Sequence, residues 1–151
     1  MRLPIQVAVY CVCRIDNDWR FLLLHRVLKR LSFWQGVTGG VEEGETIDET
    51  AQRELTEETG FDIVPKPIGY TYTFPADEFF RDIYETPVDT ITQHVFVAIL
   101  DDCQPPTLDP VEHDAFCWVP FDDALEMLYW WDDRESIQRV RSFIRSHLSR
   151  S

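Results

Sequence analysis

The sequence has no apolar run long enough to cross a membrane, since a helical span needs about 18 consecutive apolar residues. Its longest apolar runs, 7–13 and 95–100, have only the length of a β-strand. Its first residues include no small-residue cleavage site, so no signal peptide is expected. These absences predict a cytoplasmic protein that has no membrane partner.

Basic residues are also scarce, since 14 Lys and Arg stand against 27 Asp and Glu, for a net charge of −13. Binding to a long nucleic acid requires a basic surface that displaces counterions from the phosphates, so no such partner is expected. A small phosphorylated substrate is compatible with this charge where a divalent cation separates phosphate from protein. The acidic excess therefore leaves two interpretations, a solvated surface or carboxylates gathered around a metal ion.

The four cysteines include no Cys-x-x-Cys pair, so no zinc site is predicted. Cys11 and Cys13 lie two residues apart in an apolar run, and in a strand they would share one face. We interpret these two, with Cys103 and Cys117, as reduced thiols that act as small hydrophobic side chains.

What the chain does contain is enough apolar residues for a core, with 44% hydrophobic and 13% aromatic residues. Its 151 residues predict a single domain over 1–151. Strand and helix patterns alternate, which indicates an α/β fold. The predicted strands are 5–13, 20–26, 68–74, 91–100 and 115–119, and the predicted helices are 46–59, 121–130 and 134–148. A turn is expected at 16–18 and a glycine-rich loop from Gly36 to Gly44.

The helix 46–59 is the most strongly specified of these elements. Thr46 and Glu49 form the capping-box pattern, in which each side chain accepts a hydrogen bond from the other residue's backbone N–H. Gly60 stands just past the predicted end, where a left-handed residue commonly closes a helix. The sequence thus predicts both ends of this helix.

Three glutamates of this helix, Glu54, Glu57 and Glu58, share one patch because their spacing is i, i+3 and i+4. Glu54 and Glu58 fall on the side of Ile47 and Ala51, which should face the protein. Like charges pressed toward a low-dielectric surface are costly unless a cation lies among them. Mg²⁺ prefers oxygen ligands, so the patch predicts a divalent metal site. The competing interpretation is a solvated acidic face.

The glycine-rich segment and the helix together resemble the signature of the Nudix hydrolases. The matching residues, with the family's spacing between them, are Gly39, Glu45, Arg53, Glu54, Leu55, Glu57, Glu58, Gly60 and Phe61. The resemblance implies an α/β/α sandwich around a mixed central sheet. It also implies Mg²⁺, or Mn²⁺ in its place, and hydrolysis of a diphosphate linked to another moiety.

Carried over by position, the resemblance makes Glu54, Glu57 and Glu58 metal ligands at the catalytic centre. It also pairs Glu45 with Arg53 in a salt bridge that holds the loop and orients the glutamates.

Further candidates lie outside the helix. The resemblance implies a metal ligand from the backbone carbonyl of Thr38, just before Gly39. Glu112, at a predicted loop-to-strand junction, is the candidate for a fourth carboxylate that binds metal or accepts the proton of the attacking water. The alternative for Glu112 is an ordinary surface acid, and His113 beside it is interpreted as structural.

Residues 33–45 are similar to the bacterial dihydroneopterin triphosphate pyrophosphohydrolases of folate synthesis, which also act on nucleotides such as dATP. In this interpretation Trp34 stacks on a planar base or pterin, and Gln35 hydrogen-bonds its edge. Gly39 and Gly40 let the backbone approach the substrate closely.

Arg26 and Lys29, upstream of the glycines, are candidates for holding phosphates, with ordinary surface cations as the alternative. The acidic loop 75–90 offers Phe79, Phe80 and Tyr84 as further stacking residues. Core packing is the alternative for each aromatic side chain.

Three functions are consistent with these patterns. The first is a Mg²⁺-dependent pyrophosphohydrolase that converts a nucleoside or pterin triphosphate to monophosphate and pyrophosphate by water attack on phosphorus. The second is a dinucleoside polyphosphate or RNA 5′-end hydrolase, disfavoured because the residues before Gly39 lack the proline common in such enzymes. The third is a non-catalytic ligand-sensing domain, disfavoured by the intact set of glutamates.

Overall fold

The computed structural model describes residues 2–27, 32–76 and 90–147. Its strands are β1 (Arg2–Ile15), β2 (Asp18–Arg26), β3 (Trp34–Gln35), β4 (Val37–Glu42), β5 (Lys66–Pro75), β6 (Thr90–Ile99) and β7 (His113–Pro120). Its helices are α1 (Ile47–Thr59), α2 (Phe121–Met127) and α3 (Trp131–His147). Each predicted strand and helix therefore has a counterpart, with ends shifted by a few residues.

The seven strands form one mixed sheet in the order β3-β2-β1-β6-β5, with β4 also paired to β1 and β7 to β2. The β1–β6 pair is parallel and the other pairs are antiparallel. The hairpin between β1 and β2 turns at Asp16 and Asn17, whose φ angles of 50° and 67° suit a two-residue turn.

Strand β1 is buried on both faces, which explains its nearly continuous apolar sequence. On one face Val7 and Val9 pack in a cluster with Leu55 of α1. On the other face Ala8 and Val12 pack in a cluster with buried side chains of α2 and α3. Helices thus cover both faces of the sheet, and the expected α/β/α sandwich with a mixed sheet is confirmed.

The predicted glycine-rich loop from Gly36 to Gly44 is wrong in kind, because most of it is strand β4. This segment pairs antiparallel with β1, with Gly39 opposite Val7 and Gly40 opposite Gln6. Glycine weakens a strand but does not prevent one, since its backbone donors and acceptors remain available to a neighbour.

The prediction that all four thiols are free is wrong for one pair, since Cys13 and Cys103 form a disulfide with Cα atoms 5.3 Å apart. Sequence spacing gave no hint of this bond, which joins residues separated by 90 positions. The parallel register sets Val12 opposite Ile99, so the chain leaving β6 passes beside Cys13. Cys11 and Cys117 are free, and Cys11 shares the buried face of Cys13 as predicted.

Four of the predicted phosphate-binding and stacking residues, Lys29, Phe79, Phe80 and Tyr84, lie outside the described residues. Among the helices that are described, none is long and apolar enough to span a membrane.

Candidate active site

Both ends of α1 are fixed by the contacts that the sequence predicts. The Thr46 hydroxyl accepts from the backbone N–H of Glu49 at 3.1 Å, and the Glu49 carboxylate accepts from the N–H of Thr46 at 2.8 Å. Gly60 closes the helix in a left-handed conformation with φ of 78°. The rotation of α1, and with it the direction of the glutamates, is therefore set locally.

Arg53 is the centre of the ion-pair network on α1. It donates to the two carboxylate oxygens of Glu45 at 2.6 and 2.9 Å, so the predicted salt bridge is present. It also donates to the carbonyl of Gly40 at 3.2 Å, which ties α1 to β4. Its remaining donors reach Glu54 at 2.8 Å and Glu57 at 3.3 Å. The hydrogen bonds from Arg53 lower the pKa of Glu45 to about 2.

Glu54 and Glu58 lie against the protein, as the helical spacing predicts. Their side chains are 14% and 8% exposed, whereas that of Glu57 is 57% exposed. Burial raises the pKa of both buried carboxyls, and the hydrogen bond between them raises that of Glu58 further. The backbone N–H of Thr38 hydrogen-bonds Glu58 and opposes this shift. The pair holds its negative charge at a cost, which a nearby cation would relieve.

Gly39 is required by the position of Glu54. A Cβ atom at Gly39 would collide with the carboxylate end of the Glu54 side chain. Because Gly39 has no side chain, Glu54 can lie against β4 at this position. Gly39 therefore acts on the arrangement of the acids, in addition to any contact that its backbone makes with a ligand.

Glu112 lines the same cavity as the α1 glutamates. It stands directly before β7, and its charge contributes to the raised pKa of Glu58. The next residue, His113, is buried, with Nδ1 3.7 Å from Glu58 Oε1 and Nε2 3.0 Å from the Gln35 amide nitrogen. Burial lowers the pKa of His113 to about 4, so its ring is neutral at pH 7.

The cavity has a volume of about 680 Å³ and extends across one end of the sheet. It brings together most of the predicted site residues, namely Arg26, Gln35, Thr38, Gly39, Gly40, Glu54, Glu57, Glu58 and Glu112. The predicted scaffold residues Glu45 and Arg53 support it from α1. Further lining residues, which the sequence analysis did not select, are Gln6, Phe33, Glu42, Tyr72, Phe74, Pro75, Gln93, Asp109, Trp130, Asp132 and Asp133.

Trp34 is not among the residues that line this cavity, contrary to its predicted stacking role. Successive strand residues point to opposite faces, so Phe33 and Gln35 face the cavity while Trp34 turns away. The Trp34 ring packs against His25, with centroids 5.0 Å apart, and joins the core cluster beside α2 and α3. Phe33 and Trp130, in edge contact at 5.8 Å, supply the aromatic wall instead.

The donor set at the α1 end fits a hard divalent cation. It consists of carboxylate oxygens, and Oε1 of Glu58 is buried with no hydrogen-bond partner. No three His, Cys, Asp or Glu side chains in the described ranges already stand in a metal-binding arrangement. Arg53 hydrogen-bonds one oxygen of Glu54 and one of Glu57, which leaves the other oxygen of each carboxylate for a cation.

The fold is an α/β/α sandwich that places an acidic helix face beside a cavity. Comparison with known proteins identifies its family. The family model described as NUDIX domain matches residues 4–140. The chain belongs to this family, and its interpretation as a hydrolase of phosphoanhydride bonds is confirmed at the family level.

Individual relatives agree with this assignment. Dihydroneopterin triphosphate diphosphatase of Escherichia coli K12 is 30% identical over 138 residues, covering 88% of this chain and 90% of that protein. The solved structure of the E. coli dihydroneopterin triphosphate pyrophosphohydrolase superimposes with a TM-score of 0.78 at 28% identity, covering 91% of this chain and 94% of that one. An octanoyltransferase of Myxococcus xanthus is 35% identical over 137 residues. The match covers 89% of this chain but only 36% of that longer protein.

Proposed function

We propose that the protein is a Mg²⁺-dependent pyrophosphohydrolase that cleaves a nucleoside or pterin triphosphate to the monophosphate and pyrophosphate. The observation that carries this proposal is one cavity that joins the buried glutamates of α1 to an aromatic and polar wall. Such a cavity accommodates a ligand with phosphates at one end and a planar ring at the other. The similarity to dihydroneopterin triphosphate diphosphatases favours the same substrate class, which would place the enzyme in cytoplasmic folate synthesis.

Glu54, Glu57 and Glu58, with the carbonyl of Thr38, are the proposed ligands of Mg²⁺ or Mn²⁺. When bound, the cation neutralises phosphate charge and activates the phosphorus atom toward water. A divalent ion also reconciles a polyphosphate substrate with a protein of net charge −13. Burial raises the pKa of Glu54 and of Glu58, so their negative charges are unfavourable until a cation neutralises them.

The remaining residues position these groups. Glu45 holds Arg53 in place through two hydrogen bonds, and Arg53 in turn holds Glu54 and Glu57. Glu112 is the proposed acceptor for the proton of the attacking water, with a motif glutamate as the alternative. Arg26 lines the cavity near this end and is proposed to hold a phosphate.

The first test is product analysis of the purified protein with Mg²⁺ against dihydroneopterin triphosphate, the deoxynucleoside triphosphates and diadenosine tetraphosphate. Pyrophosphate and a monophosphate are the expected products. Hydrolysis of the dinucleotide alone would favour a dinucleoside polyphosphate hydrolase. Ligand binding without turnover, with either Mg²⁺ or Mn²⁺, would favour a sensing domain.

Glu57→Gln is the sharpest variant, because the Glu57 side chain is the most exposed of the three and its loss should leave the fold intact. We expect kcat/KM to fall on the order of 10²–10³-fold, with the thermal midpoint nearly unchanged. Glu126→Gln, an exposed position on α2, is the matched control and should retain full activity. Equal activity in both variants would contradict the proposed metal site.

A further inference from the structure

A chain of hydrogen bonds joins Ser32, His25 and Asp114 outside the cavity. The Ser32 hydroxyl oxygen lies 2.9 Å from His25 Nε2, and His25 Nδ1 lies 2.7 Å from Asp114 Oδ1. The fold brings these groups together, since 89 positions separate His25 from Asp114. None of the three is among the described residues that line the cavity. This cluster is therefore separate from the proposed metal site.

An irregularity in β7 places Asp114 beside His25. His25 of β2 pairs with Ala115 of β7, and the next residue, Arg26, pairs with His113. Asp114 is therefore one extra residue in β7, which is the arrangement of a β-bulge. A bulge bends its strand and redirects a side chain, and bulges are common beside active sites. Here the redirected side chain is the carboxylate that hydrogen-bonds His25.

The His25 ring is held in one orientation by its neighbours. Both of its nitrogens are hydrogen-bonded, and the Trp34 ring packs against it with centroids 5.0 Å apart. The His25 side chain is 25% exposed, whereas that of Asp114 is 51% exposed. Ser32 is exposed as well. The imidazole is thus partly shielded, while the hydroxyl is open to a molecule from solution.

The order of these groups is that of a nucleophile, a base and a group that orients the base. A carboxylate only accepts hydrogen bonds, so the contact with Asp114 places the imidazole proton on Nδ1. The lone pair of Nε2 then accepts from the Ser32 hydroxyl, which is the arrangement in which a histidine takes the hydroxyl proton. Such triads are recognised by geometry and roles, and they occur on unrelated folds.

We propose that Ser32, His25 and Asp114 form a second catalytic site, which hydrolyses small carboxylic esters through an acyl-serine. Ser32 Oγ bonds the carbonyl carbon while its proton passes to His25 Nε2. The C–O bond to the alcohol then breaks, and the departing alcohol takes that proton. Water attacks the acyl-serine and gives a proton to His25, which returns it to Ser32 Oγ as the carboxylic acid leaves. Neither step consumes an oxidant, a reductant or a second substrate other than water.

The exposure of the site determines which esters it accepts. Water reaches Ser32 and much of Asp114, and it weakens the stabilisation of the negative charge that forms on the carbonyl oxygen. Esters with a good leaving group, such as p-nitrophenyl acetate, depend least on that stabilisation. The net charge of −13 favours neutral over anionic esters. We therefore expect slow turnover of small, neutral, activated esters.

A purely structural role is the competing explanation. The hydrogen bonds fasten Ser32 to β2 and β7 just before β3 begins, which is useful without any reaction. That role predicts that Ser32 reacts no faster than another exposed serine. A catalytic triad instead predicts selective covalent reaction at Ser32, with a rate that depends on His25.

The first test is covalent labelling with diisopropyl fluorophosphate, in which the serine oxygen bonds phosphorus and fluoride leaves. The protein is kept in EDTA, so that the glutamates of α1 bind no cation. Mass spectrometry of the digested protein should find the label on Ser32 and not on Ser142, an exposed serine of α3. Protein unfolded in urea should lose this selectivity, because only the fold brings His25 and Asp114 together.

Variants test the separate roles with p-nitrophenyl acetate as the substrate. Ser32→Ala and His25→Gln should each lower kcat/KM on the order of 10²-fold, as expected when a nucleophile or its general base is lost. Asp114→Asn keeps the shape of the side chain but favours the wrong imidazole tautomer, and it should cost about tenfold or more. Ser142→Ala is the matched control and should retain full esterase activity.

Two results would overturn the proposal. One is labelling of Ser32 at the same rate in His25→Gln as in the unmodified protein, and the other is equal ester hydrolysis in Ser32→Ala and Ser142→Ala. Should His25→Gln fail to fold, Asp114→Asn supplies the same comparison at a half-exposed side chain.

Metal removal separates this inference from the proposed pyrophosphohydrolase. Ester hydrolysis should be unchanged in EDTA and in Glu57→Gln, whereas hydrolysis of triphosphates should be lost in both. Ester hydrolysis that disappears in EDTA would belong to the metal site and would overturn the second catalytic site. Ester hydrolysis by Ser32 without cleavage of any triphosphate would sustain this inference and overturn the proposed function.

Discussion

The two ends of the cavity are built in opposite ways. At the acid end, Glu45, Arg53, Glu54 and Glu58 lie within fourteen consecutive residues, and hydrogen bonds join Glu45 to Arg53, Arg53 to Glu54 and Glu54 to Glu58. At the ring end, the contributing residues come from β1, β5, β6 and α3, and Tyr10 and Asp133 are 123 positions apart. One end depends on the local geometry of a helix, and the other depends on the assembled sheet.

The two ends of the cavity therefore differ in how many residues must be kept together to maintain them. The acid end has few ways to vary, because its helix caps, its arginine and its glycine must all be present to hold the carboxylates. The ring end is lined by side chains from several strands and from the start of α3. The proposed metal ligands therefore come mainly from one contiguous segment, whereas the rest of the cavity lining is scattered along the chain.

After Glu57→Gln, the largest effect that would test the acid end is expected from Gly39→Ala. The added methyl group collides with the Glu54 carboxylate and displaces it, and a shift of about 1 Å at a reacting group costs about 10²-fold in rate. Steady-state kinetics with Mg²⁺ would measure the loss as a fall in kcat.

Gly69→Ala is the control for this variant. Its φ of 78° makes alanine strained there as well, but nothing lies within 4 Å of the added atom. It should lower stability by about 1 kcal/mol and leave kcat unchanged. Equal kcat in the Gly39 and Gly69 variants would show that Glu54 does not need its present position.

At the ring end, the largest expected effect is on stability rather than on rate. The pKa of Asp133 is about 6 in the fold against an ordinary 3.8, because burial outweighs the hydrogen bond from Tyr10, which lowers the pKa, and the charge of Asp132 raises it further. The folded state therefore binds this proton more tightly than the unfolded state does. Its contribution to stability is present below about pH 4 and is lost as the pH rises through 6.

Asp133→Asn should remove this loss. Two pKa units correspond to about 3 kcal/mol, of which we expect about 1–2 kcal/mol to be recovered at pH 8, because the new amide still needs partners. Urea unfolding at pH 8 and pH 4.5 would measure it, with the gain confined to pH 8. Glu54 and Glu58 also have raised pKa values, so the comparison is between the variant and the unmodified protein at each pH. No gain at pH 8 would mean that the carboxylate is adequately solvated.

The same contrast explains what could be predicted from the sequence. The caps of α1, the Glu45–Arg53 pair and the burial of Glu58 follow from spacing along one helix, and all three are present in the fold. The hydrogen bond between Tyr10 and Asp133 gave no such signal, because it depends on the docking of α3 against β1. Such contacts form only when the whole sheet is assembled.

The strands show where local patterns mislead. Three glycines within 36–40 indicate a loop by composition, yet pairing with β1 makes most of this segment a strand. In the preceding strand, β3, successive side chains point to opposite faces, and this alternation turns Trp34 away from the cavity. An aromatic residue beside glycines was therefore a poor guide to stacking, whereas the parity of its position along β3 would have been a good one.

The smallest expected effect tests whether Trp130 or Trp34 contacts the ring of the substrate. Trp130 lines the cavity and is 47% exposed, while Trp34 packs against His25 and the core cluster beside α3. Trp130→Ala should raise KM roughly fivefold, in line with the loss of about 1 kcal/mol of aromatic contact, and should change stability little. Trp34→Ala should lower the free energy of unfolding by more than 1 kcal/mol while leaving KM within twofold.

Measurement of KM and of urea unfolding for both variants completes this comparison. The reverse pattern, with KM raised only in Trp34→Ala, would restore the stacking role that the sequence suggested for that residue. It would also require the segment 33–35 to rotate when substrate binds, because Phe33 and Gln35 now occupy the cavity side of the strand. The expected pattern would assign the ring contact to Trp130, a residue that reaches the cavity only when the start of α3 docks beside Phe33.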